Sequence, residues 1–205
     1  MTIKFLTNIV KPWDELNKLL CERLAFQPEI SDITRLAGSL AVAIKHQAEE
    51  AKISRTVIDK ESHENLLMSD VADSWKHGEL KNPARNNSFS VGALFECNDS
   101  NNFRFIRNIV TVNHQSEGGF DFMITSMSAI QYWVSKLGMP ITWKPAICEG
   151  KEEFYETAFL FFNPKHQISM ISTNLQIVKR NELNQLVPYD CPEIKFAIYE
   201  QEQPH

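Results

Sequence analysis

The stretch Pro83-Ala-Arg-Asn-Asn-Ser-Phe-Ser-Val-Gly-Ala-Leu-Phe-Glu-Cys97 decides how this chain is built. From its middle onward Phe89, Val91, Ala93 and Phe95 alternate with Ser88, Ser90 and Gly92, the two-residue period of a strand with one buried face. Everything upstream keeps a helical period. Trp13, Leu16, Leu20 and Leu24 recur at helical spacing between Pro12 and Pro28. A second helix is expected from the Ser31/Asp32 cap, with Ile33, Leu36, Leu40, Ala41, Ile44 and Ala48 on one face. Gly38 lies among them and permits a close neighbour, at a cost of about 1 kcal/mol against Ala. A third helix is expected from the Ser62 cap to Gly78, a residue suited to a left-handed end.

Downstream, Asn98-Asp-Ser-Asn-Asn102 reads as a turn that pairs the first strand with Phe103 to about His114 as a hairpin. Gly118-Gly119 opens a short strand, Phe120 to Ile124, before Met127, Ile130, Trp133, Val134 and Leu137 return to helical spacing. Ala158 to Phe162 and Ile168 to Ser172 read as a second hairpin around Asn163-Pro164-Lys-His, and Lys195 to Tyr199 as a late strand. Helices first and strands afterwards predict an α+β fold, with N-terminal helices packed on a mostly antiparallel sheet and one inserted helix. With no repeat, low-complexity tract or linker, the expected organisation is a single domain over residues 1–205, helical to about 83 and β-rich from about 84.

Composition excludes several classes. A hydrophobic fraction of 43% with 23% charged residues is ordinary globular usage, and no run approaches the roughly 20 apolar residues of a membrane span. The first ten residues are interrupted by Thr7 and Asn8 before a signal-peptide core can form, so a cytoplasmic protein is expected. Cys21, Cys97, Cys148 and Cys191 are widely spaced, with no Cys-x-x-Cys pair, and are expected as free thiols. A net charge of −5 disfavours a surface that neutralises many phosphates, leaving nucleic acid only a local patch. No dinucleotide, Walker, nucleophile-elbow or zincin motif is present, and no cofactor is expected.

The densest chemistry lies on the third helix, where His63, Asp70 and His77 share a stripe with Asp73 beside them. The apolar arc of Leu67, Met68, Val71, Ala72 and Trp75 is centred about 140° away, so the stripe is expected on a solvated or ion-paired face. In a sharper reading His77 is a general acid or base oriented by Asp73, with Asp70 alongside and Arg85 stabilising negative charge on a phosphate. A metal reading would add His46, Glu49 and Glu50 from the second helix, but the paired Glu-x-x-His of bundle carboxylate sites is missing, so no metal is expected. His114 and His166 fall at predicted turns, Arg104 and Arg107 are expected to pack their stems on the sheet, and Glu96 and Glu149 beside Cys97 and Cys148 disfavour thiolates.

The helical part, about residues 13 to 85 and ending in Asp73-Ser-Trp-Lys-His77, resembles helical bundles of the HEPN class (higher eukaryote and prokaryote nucleotide-binding). That resemblance implies a bacterial conflict-system context and, for many members, ribonuclease activity through an Arg-x(4–6)-His motif on a helix. Here the only match to that spacing is Arg107 to His114, within a predicted strand, so the activity does not carry over. The expected function is a cytoplasmic interaction or binding protein with a protein partner or second copy, as a subunit of a larger bacterial assembly. The alternative is a phosphodiester hydrolase using His77 and Asp73.

Overall fold

The computed structural model describes residues 2–162, 173–191 and 193–200. The fold is α+β. The N-terminal helices are α1 (Thr2–Phe5), a π turn (Leu6–Val10), α2 (Lys11–Leu19), α3 (Ile30–Glu50), α4 (Arg55–Glu61) and α5 (His63–His77). Strands β1 (Asn87–Cys97), β2 (Phe103–His114) and β3 (Gly118–Asp121) precede the inserted helix α6 (Phe122–Lys136). Then come β4 (Ala158–Phe162), β5 (Thr173–Arg180), β6 (Leu186–Pro188) and β7 (Phe196–Glu200). Five strands form one sheet in the order β3-β2-β1-β5-β6, while β4 and β7 form a separate pair.

Local chemistry explains most boundaries. Ser62 accepts the Asn65 N–H through Oγ at 3.2 Å, and Gly78 closes α5 at φ 72°, a conformation that favours glycine. Asp121 starts α6 early by accepting the Ile124 N–H at 3.0 Å, so the strand expected to reach Ile124 stops at Asp121. The helix expected to begin after Pro12 is α2, which starts at Lys11 and takes the proline into its first turn, with α1 and a π turn ahead of it. The π turn lies just before Pro12, closed by Lys11 N–H on the Leu6 carbonyl, where the chain approaches a residue with no N–H to donate. The same helix ends at Leu19 rather than near Pro28, because the following chain turns and Phe26 takes a left-handed φ of 62°. The short α4 carries too few apolar residues to announce itself by periodicity.

The chain divides into two compact units. One comprises Met1–Asn17, Thr34–Phe89 and Val110–Ile147. Its core holds Trp13 and Trp133, both fully buried with their indole N–H groups satisfied. Trp13 donates to Ser126 Oγ at 3.0 Å and Trp133 to Asn65 Oδ1 at 2.7 Å. Buried Asn65 also donates to Ser62 Oγ and to the Ala129 carbonyl, tying the start of α5 to α6.

The other unit comprises Lys18–Ile33, Ser90–Ile109 and Cys148–His205. The turn Asn98–Asn102 is closed by Asn98 N–H on the Asn102 carbonyl, and so short a link between neighbouring strands makes β1 and β2 antiparallel. β5, however, lies parallel to β1, from Val91 opposite Thr173 to Glu96 opposite Val178. Among the described residues β4 pairs in parallel with β7, Ala158 opposite Phe196. The hairpin partner expected for Ala158–Phe162, Ile168 to Ser172, lies outside the described residues, as does His166. Buried Glu96 accepts two bonds from Arg104, at 2.8 and 2.6 Å, and pairs with Arg180 at 3.2 Å. Arg104 also lies 5.1 Å from the centre of the Phe154 ring, a structural use of this strand arginine.

Candidate functional site: the Asp70 cluster and the Trp75 face

Helix α5 runs unbroken from His63 to His77, yet the stripe it carries does not meet one environment. Asp70 is buried at 3% exposure, whereas His63 and His77 are exposed. Of the solvated or ion-paired face expected, the middle is ion-paired and buried while the two ends are exposed. The middle of the helix is covered by Arg85, which follows the Asn82 cap of a short 3₁₀ turn, and by His114 at the end of β2.

The cluster is closed. Arg85 places Nε and Nη2 on Asp70 Oδ1 at 2.7 and 2.5 Å, and Nη2 also reaches Asp73 Oδ2 at 3.1 Å. Lys45 from α3 donates to Asp73 Oδ1. His114 faces Asp70 Oδ2 through Nε2 at 3.3 Å, while its Nδ1 accepts the Glu117 backbone N–H at 3.3 Å. An Nδ1 that accepts must lack a proton, which leaves Nε2–H to donate to Asp70. Both oxygens of each carboxylate are therefore occupied, and the two cations are matched by two carboxylates. Burial raises the Asp73 carboxyl, but the Lys45 and Arg85 bonds outweigh it and hold the group below its ordinary value. The bonds to Asp70 raise the Arg85 guanidinium further.

The structure thus brings Asp70, Asp73 and Arg85 together and leaves His77 out. His77 is exposed at the helix end, with no hydrogen-bond or ion-pair partner among the described residues. The imidazole beside Asp70 is His114, expected at an exposed turn and found buried at 5% exposure. Its separation of 44 positions from Asp70 carries no local spacing signal; only the pairing of β2 with the chain around it could reveal it. Buried on all sides, His114 cannot reach a substrate as it stands. The Arg107 to His114 spacing falls on strand β2, where residues seven apart point to opposite faces.

The remaining ligand candidates are engaged elsewhere. His63 pairs with Glu117 at 3.4 Å, and His46 contacts Glu49 at 3.4 Å and Lys76 Nζ at 2.8 Å. Among the described residues no group of three or more His, Cys, Asp or Glu is gathered as a metal site. Burial pushes the Cys21 thiol to about 11 and raises Cys97, so neither is poised as a thiolate. None of the described helices is long and apolar enough to cross a membrane.

Two residues beyond Asp73, Trp75 departs from the expected apolar arc. It is 43% exposed. Its indole lies over Gly38 so closely that a Cβ there would sit 2.2 Å from the ring, which gives the glycine of α3 its packing reason. Phe89 meets the ring edge-on at 6.0 Å. Thr34, Ser74, Asn87 and Ser88 join these two aromatics around an open cavity of about 280 Å³. The result is an exposed Trp whose orientation is already fixed. Compared with protein-family models, curated proteins and solved structures, the chain matches none of them.

Proposed function

We propose that this chain is a cytoplasmic binding protein whose helical unit engages a protein partner through the face centred on Trp75. The observation that carries this reading is the exposed, pre-oriented indole packed over Gly38. Partner-binding energy concentrates in a few aromatic or arginine anchors, and an anchor held rigid before binding loses little freedom on contact. The polar groups around it, Ser74, Asn87 and Ser88, suit the rim of such a contact. The rival hydrolase reading loses support on two counts. Arg85 is neutralised by Asp70 and Asp73, and His77 has no carboxylate to orient it among the described residues.

A photo-crosslinking residue placed at Lys76 should capture a discrete partner, or a second copy of the chain, from native extract. The same probe at exposed Lys60 should not. Trp75→Ala should weaken the contact by about 2 kcal/mol or more, roughly 30-fold. Wild type and His77→Ala should also be assayed on RNA, DNA and a small phosphodiester, with and without divalent metal. Turnover falling by about 10²–10⁴-fold in His77→Ala with the fold intact would replace the binding reading by the hydrolase.

A further inference from the structure

The second unit contains a cavity of about 420 Å³, within the roughly 300–1,000 Å³ range of small-molecule sites. Its walls include Tyr155, Phe159 and Tyr199, with Arg23, Gln27 and Glu152 at the polar side. Tyr155 is anchored by reciprocal backbone bonds to Phe103, 2.7 and 2.8 Å long. Phe159 and Tyr199 sit on the paired strands β4 and β7. The Tyr155 and Phe159 rings lie 5.4 Å apart at 69°, and the Phe159 and Tyr199 rings 5.2 Å apart at 47°. Such angles make a corner rather than a pile of parallel plates.

We propose that this corner binds a methylated ammonium group. A flat base stacks best on parallel faces, whereas a rounded cation gains from several ring faces converging on it. Glu152 supplies the negative charge such a ligand needs. Its present partner is Arg23, whose Nε stands 4.0 Å away on a side chain 78% exposed. A contact so long and solvated is readily displaced. Arg23 is therefore a competitor for Glu152 and is expected to swing into solvent when the ligand enters.

The test is titration of the full chain with tetramethylammonium, choline and a short peptide carrying trimethyl-lysine, followed by calorimetry or ring-proton NMR. The control ligand is 3,3-dimethylbutan-1-ol, which has the shape of choline without its charge. Saturable binding of the cations is expected, with the neutral alcohol at least about 10-fold weaker. Tyr199→Leu and Glu152→Gln should each weaken binding several-fold, and Arg23→Gln should strengthen it, a gain that misfolding cannot imitate. Tighter binding of choline than of the peptide assigns a free metabolite-like ligand, and the reverse assigns a modified protein side chain. Equal affinity for the neutral alcohol, binding of adenosine in place of the cations, or unchanged affinity in both Tyr199→Leu and Arg23→Gln would overturn the proposal.

Discussion

The middle and the end of helix α5 lie barely two turns apart and differ in what their polar groups have left to offer. Around Asp70 every carboxylate oxygen already has a donor, and His114 is buried at the end of β2. At the helix end Trp75 and His77 are exposed. A density of titratable residues is thus a poor guide to a functional site when they satisfy one another. Availability is the better guide, and it favours the sparser region.

The comparison breaks most directly at Arg85. Arg85→Ala leaves Asp70 buried without its cation and should cost about 3 kcal/mol of unfolding free energy, measured by urea denaturation. A loss under 1 kcal/mol would mean that the middle of the helix is less closed than its geometry indicates. Ser62→Ala removes the N-terminal cap and an Asn65 contact, and should cost about 1 kcal/mol in the same experiment.

A smaller effect sharpens the electrostatic side. Lys45→Met should cost under about 1 kcal/mol at neutral pH, in keeping with a partly exposed pair. Asp73 has a folded-state carboxyl below its ordinary value. Its contribution is therefore present above the unfolded carboxylate range, near 4, and is lost as pH falls through the folded value. The gap between wild type and Lys45→Met should narrow on acidification below about pH 4. A gap that widened would reverse the sign assigned to this pair. The smallest effect belongs to the open end: His77→Ala should change stability by no more than about 0.5 kcal/mol, since the ring holds nothing in place.

Much of this architecture was legible in local patterns. The period change after Pro83, the Asn98–Asn102 turn, the Ser62 cap and the Gly78 stop depend on neighbours a few residues away, and each appears where those patterns put it. So does the inserted helix, with Asp121 as a cap that local reading passed over in favour of a longer strand. Long-range pairing was not legible. Nothing near Ala158 points to Phe196, 38 positions on, as its parallel partner.

The candidate site divides along the same line. By itself the sequence determined that Asp70, Asp73, Trp75 and His77 share one helix, because cap and period are local properties of the chain. Only the tertiary structure decided which of them are used up. Arg85 curls back over Asp70, Lys45 arrives from α3, and His114 comes from a strand 44 positions away. Gly38 admits one face of the Trp75 ring and Phe89 meets it edge-on, which still leaves Trp75 43% exposed. Burial and pairing are properties of contacts between distant segments, and a helical wheel has no term for them.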